Sequence, residues 1–314
     1  MSSVLVTGAR GFAGGYLANL LAKSGTSVTG WMRPAKNLAP DPFFDPSILW
    51  QQVDLLDRRS VMEAIAATKP SAVYHCAGAA HVGQSFTNVR DTLAANVLGT
   101  HHLLDGLRAA GLRARVLITG TSLVYRQSDQ PLKEDDQIGP ATPYAVSKLA
   151  QEMLGLRGAE DGQTVVVARS FNHTGPRQSS SFAAPAFARQ IALIEKGRAE
   201  AEILVGNLEA SRDIHDVRDT VRAYRDIVAH GRPGEAYNVC AGEAFRIRDV
   251  LDRLVSMSRT AVSVRVDPTR YRPNDNPMVL GDRGRIGSEI GWAPAINLDQ
   301  TLADLLEYWR KAVE

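Results

Sequence analysis

The stretch Ser3-Val4-Leu5-Val6-Thr7-Gly8-Ala9-Arg10-Gly11-Phe12-Ala13-Gly14 decides the fold. Its first half is a β-branched run too short for a helix. Phe12, Tyr16, Leu17, Leu20 and Leu21 then recur at helical spacing over 12–23. The GxxGxxG pattern between the two lets the chain turn tightly and bring its backbone close to a pyrophosphate. The helix start supplies unpaired N–H groups and a favourable dipole. Strand, glycine turn and helix together open a βαβ unit of the kind that binds a dinucleotide.

Similar runs recur at 26–31, 71–77, 115–120 and 164–170, each continuous enough for a strand buried on both faces. Helical patterns at 60–67, 91–110 and 143–157 separate them. The alternation predicts an α/β fold, a Rossmann-type doubly wound parallel sheet. After residue 170 the composition shifts toward Pro, Ser, Gly and Arg. Loops are expected at 173–181, 206–213 and 270–277, between helices near 183–197, 217–229, 246–258 and 298–312. Polar, Arg-bearing loops of this kind suit a smaller α/β substrate domain above the carboxyl edge of the sheet. The expected division is therefore a cofactor-binding domain over 1–170 and a substrate-binding domain mainly over 171–314, with some segments returning to the first.

The 314 residues are 44% hydrophobic and 22% charged, which suits a globular chain and excludes a collagen-like or disordered one. Thirty-six Lys and Arg nearly balance 34 Asp and Glu, with no basic block, so nucleic acid is not an expected partner. Cys76 and Cys240 stand far apart without a CxxC, and the seven histidines lack HxxxH or HExxH spacing. No disulfide framework and no metal site is expected. There is no secretory pattern at the start and no run of eighteen apolar residues, which predicts a cytoplasmic protein with no membrane partner.

Within the cofactor unit, the second strand ends in Gly30-Trp31-Met32-Arg33 rather than in an acidic residue that would accept hydrogen bonds from a ribose. Arg33, helped by Arg10, would pair with a 2′-phosphate, favouring NADP(H) over NAD(H). Asp54 falls where the third strand should end, near the adenine edge.

Catalytic chemistry is suggested by Tyr144-Ala-Val-Ser-Lys148, introduced by Pro140 and Pro143. The i, i+4 spacing puts phenol and ammonium on one helix face. A free phenol with a pKa of about 10 exchanges protons poorly at neutral pH, and a nearby cation favours the phenolate; a three-unit shift is worth about 4 kcal/mol. Thr121, at the end of the strand 115–120, would hydrogen-bond the same substrate oxygen as it gains charge.

In this order, the glycine turn, the strand-end hydroxyl and the Tyr/Lys pair resemble the extended short-chain dehydrogenase/reductases that act on nucleotide sugars. Asn96-Val97-Leu98-Gly99-Thr100 and Arg169-Ser170-Phe171-Asn172-His173 with Gly175-Pro176-Arg177 extend the likeness over essentially the whole chain. The downstream loops are most similar to the GDP-mannose 4,6-dehydratase and GDP-4-keto-6-deoxy-D-mannose reductase branch. The segments that carry this are Ala80-His81-Val82 with Ser85-Phe86, Phe171-Asn172-His173, Val205-Gly206-Asn207-Leu208-Glu209 leading to Arg212-Asp213, and Arg272-Pro273 leading to Leu280-Gly281-Asp282. The resemblance implies that Asn172, Arg212 and Arg272 hold the nucleotide diphosphate, with Gly206 and Asn207 around it and Ser85 and Ser122 toward the sugar. For the cofactor it implies Gly8, Arg10, Gly11, Phe12 and Ala13 in the turn, Asp54 with Leu55, Ala77-Gly78-Ala79, Tyr144, Lys148 and His173. It also implies a homodimer formed through two helices per subunit, near 91–110 and 143–157.

A 4,6-dehydratase needs an acid/base carboxylate, and in that branch the motif Thr-Ser/Asp-Glu supplies it. Here Thr121-Ser122 is followed by Leu123, which cannot exchange a proton. Thr87 replaces the acidic residue after Ser-Phe. Ketone reduction needs only a hydride and one proton, so the resemblance implies reduction of GDP-4-keto-6-deoxy-D-mannose to GDP-6-deoxy-D-mannose, GDP-D-rhamnose. Hydride delivery to the other face would give the 6-deoxytalose epimer, and the sequence does not fix the face. Arg126, where Gly is usual, is expected to intrude near the sugar. A 4-epimerase is opposed by Arg33 and the GDP-sugar-like loops, and a non-catalytic NADP(H)-binding regulator by Thr121, Tyr144 and Lys148.

Overall fold

The computed structural model describes residues 3–36, 39–159, 162–270 and 276–313. β1 (Ser3–Thr7) runs through the glycine turn into α1 (Phe12–Lys23), followed by β2 (Ser27–Met32), β3 (Leu49–Gln52), α2 (Arg58–Thr68) and β4 (Ala72–His75). Then come α3 (Val82–Ser85), α4 (Val89–Leu93), a π-helical turn at Ala94–Leu98, α5 (Gly99–Ala109), β5 (Arg115–Thr121), α6 (Pro143–Arg157) and β6 (Thr164–Ser170). The second half holds β7 (Asn172–Thr174), α7 (Ala183–Glu195), β8 (Glu202–Val205), β9 (Ser211–Asp216), α8 (Val217–His230) and β10 (Ala236–Val239). It ends with β11 (Ala244–Arg246), α9 (Ile247–Ser256), β12 (Ser263–Val266), β13 (Met278–Val279), α10 (Gly284–Ile290) and α11 (Leu298–Ala312).

Seven parallel strands form the main sheet in the order β10-β6-β5-β4-β1-β2-β3, the doubly wound arrangement the alternation predicts. Successive residues of each strand enter opposite layers. Val4 and Val6 pack with α1 and α8, while Leu5 packs with α2 and α5. Burial on both faces is why these strands read as unbroken apolar runs. The strand order reverses between β1 and β4, and the crevice at such a reversal is where open α/β sheets bind ligands.

The helix expected over 91–110 is instead α4 and α5 joined by the π-turn at 94–98. Thr100 donates to the Asn96 carbonyl there at 2.6 Å, so the extra residue is held by a side chain. Two of the expected loops also carry strands. β7 and β9 pair in parallel, and β9 is flanked by β11 and β13 in a second small sheet. β8 pairs with β12, and α7, α9 and α11 close a separate apolar core that includes Ile191, Leu251 and Leu302. α8 and β10 return to the large sheet. No helix among the described residues is long and apolar enough to cross a membrane.

Candidate active site at the sheet reversal

Gly8 turns the chain with φ +64, and a Cβ there would lie 2.8 Å from the Ala77 backbone. A Cβ on Gly14 would collide with the Gly8 carbonyl oxygen. β1 and the start of α1 therefore approach each other, and the strap after β4, more closely than any side chain allows. Gly11 caps α1 without a side-chain hydrogen bond, leaving first-turn N–H groups at the crevice. A cradle that Cβ atoms would fill, beside a helix N-terminus, fits a dinucleotide pyrophosphate.

Around this cradle, Arg10 lies 5.3 Å from the Phe44 ring and 5.7 Å from Trp50, which hold its guanidinium across the turn. Phe12 stacks on His173 with centroids 5.8 Å apart, and Ala13 is half-buried beside it. Arg33 is exposed just beyond β2. The exposed Asp54 accepts the Leu56 N–H at 2.9 Å, and the Leu55 carbonyl meets His102 Nδ1 at 2.8 Å. Ala77, Gly78 and Ala79 form the strap after β4. The Ala77 N–H donates to Thr7 Oγ1 at 3.1 Å. Asn96 accepts the Ala79 N–H at 2.7 Å, donates to the Ala79 carbonyl at 3.1 Å and reaches Ser147 at 2.8 Å. Asn96 thereby ties the strap to α6.

On α6, Thr142 caps the helix and Pro143 occupies its first turn. Thr121, at the end of β5, comes close enough to Tyr144 to act on its phenol, which places the strand-end hydroxyl and the phenol together. Burial pushes the phenol up to about 12, with the nearby Thr121 hydroxyl opposing it. The lowering of the phenol by Lys148 that the spacing suggests is thus not what dominates. Lys148 is buried and donates to Gln151, and desolvation pulls its ammonium down to about 8 against the pull of Cys76 and Glu152. Ser122 is buried next to Thr121, and Leu123 follows it on the same short turn.

Farther along the carboxyl edge lies a cleft of about 350 Å³. Asn172 and His173 from β7, Gly206 and Asn207 after β8, Arg212 from β9 and Arg270 line it. Five of these six are expected from the sequence. Arg270 is the addition, and its guanidinium donates to the Leu204 carbonyl at 3.0 Å at the cleft wall. Gly206 is required there because a Cβ would meet the Arg270 carbonyl oxygen at 2.8 Å. Burial holds His173 below the ordinary imidazole range, so it faces the cleft as a neutral ring.

Three expectations change or fall outside this picture. Ser85 is fully buried, donates to the Val82 carbonyl at 2.6 Å and accepts the Tyr144 N–H at 3.2 Å, so its hydroxyl serves the start of α6 rather than a sugar. Arg126 is exposed and donates to Gln137 at 3.0 Å, so it lies along its own hairpin and not toward the sugar. Arg272 lies outside the described residues. Sequence reasoning also gives no role to Asn96, Thr7, His75 or Gln151, although Asn96 stands inside a quoted motif.

A glycine cradle and a Tyr/Lys helix converging at one sheet reversal are the working parts of an extended short-chain dehydrogenase/reductase. The family model described as GDP-mannose 4,6 dehydratase matches residues 5–305, and the chain belongs to that family. It is 36% identical to GDP-6-deoxy-D-mannose reductase of Pseudomonas aeruginosa over 99% of this chain and 98% of that protein. The structure of RMD from Pseudomonas aeruginosa complexed with NADPH superposes with a TM-score of 0.87 at 34% identity, covering 99% of this chain and 100% of the other. UDP-glucose 4-epimerase of Thermus thermophilus in complex with NAD also superposes with a TM-score of 0.87, at 25% identity over 99% of each chain.

Proposed function

We propose that the protein reduces the C4 ketone of GDP-4-keto-6-deoxy-D-mannose to GDP-6-deoxy-D-mannose, with NADP(H) preferred and NAD(H) as the alternative. The observation that carries the reading is the approach of Thr121 to Tyr144, with Leu123, an alkyl side chain, where a dehydratase carries its acid/base. The likeness to a GDP-6-deoxy-D-mannose reductase along the whole chain supports it.

When bound, the nicotinamide cofactor supplies the hydride. The cradle of Gly8, Gly11, Phe12 and Ala13 with Arg10, Asp54 and Leu55, and the strap Ala77-Gly78-Ala79, would hold it, and Arg33 would meet a 2′-phosphate. Its position past β2 and its exposure support that role. Tyr144 gives its proton to the ketone oxygen as negative charge gathers there, and Thr121 donates a hydrogen bond to the same oxygen. A phenol raised to about 12 keeps its proton at neutral pH, which suits an acid. Lys148 offsets the charge left on the phenolate. His173, stacked on Phe12, lines the cleft next to the glycine cradle. Asn172, Arg212, Gly206 and Asn207 would take the nucleotide diphosphate, because an arginine fork matches phosphate oxygens. Ser122 would lie toward the sugar.

The reading includes a division into a cofactor-binding domain over 1–170 and a substrate-binding domain mainly over 171–314, with α8 and β10 returning to the first. It also includes a cytoplasmic homodimer. The exposed Val89, Leu93, Leu98, Val146 and Met153 on α4, the π-turn and α6 are the apolar surface that a partner's two helices would cover.

The test is a coupled assay in which a dehydratase supplies the 4-keto sugar nucleotide, nicotinamide absorbance is followed and the product is identified by NMR. NADPH oxidation with GDP-D-rhamnose formed is the expected result. A 6-deoxytalose product would correct the face of hydride delivery. Loss of water from GDP-mannose by this protein alone would overturn the argument from Leu123.

A further inference from the structure

Lys148 stands at one end of a buried run of hydrogen bonds whose sense is fixed by chemistry. An ammonium has only donors, so the Gln151 amide atom facing it must be the oxygen, and Gln151 Nε2 then donates to Thr100 Oγ1 at 2.9 Å. The single Thr100 proton goes to the Asn96 carbonyl, which leaves Oγ1 an acceptor toward its other neighbours. His75 Nε2, 2.8 Å from Thr100 Oγ1, must therefore carry the imidazole proton. The bare Nδ1 takes the Thr7 hydroxyl proton at 2.8 Å, and Thr7 Oγ1 accepts the Ala77 N–H at 3.1 Å. Each hydroxyl and imidazole proton of the run has one place. Thr7, His75, Thr100 and Gln151 are wholly buried.

We propose that Gln151 is the positioning residue of Lys148: its neutral amide fixes the ammonium, one helical turn from Tyr144, and links it, through Thr100, His75 and Thr7, to the cofactor strap at Ala77. The inference rests on the reading of Tyr144 and Lys148 as the proton-transfer pair.

The neighbours of Lys148 explain why an amide is used. On its own helix Tyr144 lies one turn before it and Glu152 one turn after. The Glu152 carboxylate is engaged by Arg169 at 2.6 Å, both side chains nearly buried. From the end of β4 it is faced by Cys76, a half-buried thiol that stays protonated, and by His75, held neutral down to about 3 by burial and by Lys148 itself. An amide oxygen orients the ammonium without cancelling its charge. A carboxylate at 151 would hold the proton more firmly and neutralise the cation that Tyr144 needs, and an alkyl side chain would leave the ammonium unsupported.

The titration of Lys148 is measured by NMR on the full chain labelled with 13C-lysine, its Cε resonance identified by its loss in Lys148→Arg. In Gln151→Leu the midpoint should fall by about one pH unit, the value of a hydrogen bond to a charged group. In Gln151→Glu, which keeps an acceptor for the ammonium, it should rise. Where the 4-keto sugar is turned over, the basic limb of kcat should move down with the midpoint in Gln151→Leu and up in Gln151→Glu. KM for the sugar nucleotide should stay within about twofold, because the amide touches no substrate. A midpoint that stays put in Gln151→Glu overturns the proposal. A lower melting temperature without any change of midpoint would make Gln151 a purely structural residue and overturn it equally. Should the wild-type protein fail to reduce the ketone, the functional reading falls, while the NMR midpoints still decide the role of Gln151.

Discussion

Two buried histidines, His75 at the end of β4 in the large sheet and His215 on β9 in the small one, are both kept neutral, both pulled down to about 3 by burial. Their surroundings differ. His75 is satisfied at both nitrogens by Thr7 and Thr100. His215 meets Thr220 at 3.0 Å through Nε2, but its Nδ1 has no hydrogen-bond partner among the described residues and faces the Asp213 carboxylate at 4.0 Å. Asp213 is itself raised to about 6 by burial, although it accepts the N–H groups of Ala241, Gly242 and Gly281. The cofactor side is a network in which both ring nitrogens and each hydroxyl proton are placed. The substrate side keeps an unpaired ring nitrogen and a desolvated carboxylate on β9, the strand whose Arg212 and Ile214 line the cleft.

The largest break in the comparison is chemical. Tyr144→Phe should lower ketone reduction about a thousandfold, roughly 4 kcal/mol of transition-state stabilisation. Cofactor affinity by fluorescence titration should stay within about threefold, since the phenol oxygen is the only atom removed. A variant that still turns over at the wild-type rate would remove Tyr144 as the acid.

Next in size is His75→Leu, which leaves Thr7 without its acceptor and Thr100 with one donor fewer. A loss of about 3 kcal/mol of stability is expected in urea unfolding, because two buried hydrogen bonds are broken together. A change below about 1 kcal/mol would mean that the network tolerates gaps.

On the substrate side, Arg212→Ala should raise KM for the nucleotide sugar about tenfold to a hundredfold, with kcat nearly unchanged, as expected for a phosphate contact kept through the reaction. An equal fall in kcat would place Arg212 at the reacting atoms instead.

Acid should also separate the two regions. A histidine with a depressed folded pKa contributes stability that is present above about 6.5 and lost as pH falls toward 3, and His75 and His215 both act this way. Asp213, raised from 3.8 to about 6, acts oppositely: its contribution is present below 3.8 and lost as pH rises through 6. Between about pH 6 and 4 the unfolded chain therefore binds two extra protons at the histidines and one fewer at Asp213. From these groups stability should fall by about 1.4 kcal/mol per pH unit on acidification, checked by denaturant titration at each pH. A flat profile would show that one histidine is charged in the folded state. Smallest of all, His215→Met should cost less than about 1 kcal/mol in the same unfolding assay, because one of its ring nitrogens is already unpaired and methionine keeps most of the volume.

Legibility in the sequence follows the range of the forces involved. β1, β5 and β6 and the helices at 12–23, 143–157 and 298–312 are readable because apolar periodicity is a local signal. β9 reads as loop, and Ser211-Arg-Asp-Ile-His-Asp216 gives the reason. Its aspartates belong in turns by propensity and become strand residues only because Asp213 takes three distant N–H groups and Asp216 caps α8 and accepts Thr301 at 2.8 Å. The site divides in the same way. Gly8, Gly11, Tyr144 and Lys148 sit in short fixed spacings. The pairings of Thr7 with His75, His75 with Thr100 and Thr100 with Gln151 cross 68, 25 and 51 residues. Ser85 and Arg126 point toward the sugar by motif alone, but a motif fixes order and not direction, and the side chains turn elsewhere.

By itself the sequence determined the doubly wound sheet, the glycine cradle, the strand-end threonine and the Tyr/Lys helix face, since each depends on periodicity or on spacing within a few residues. Only the tertiary structure decided that Lys148 leans on Gln151, that His75 is a neutral link to the cofactor strap and that Arg270 joins the cleft. Those are pairings between distant segments, and burial, which raises the cost of every unpaired proton, selects them once the layers have packed.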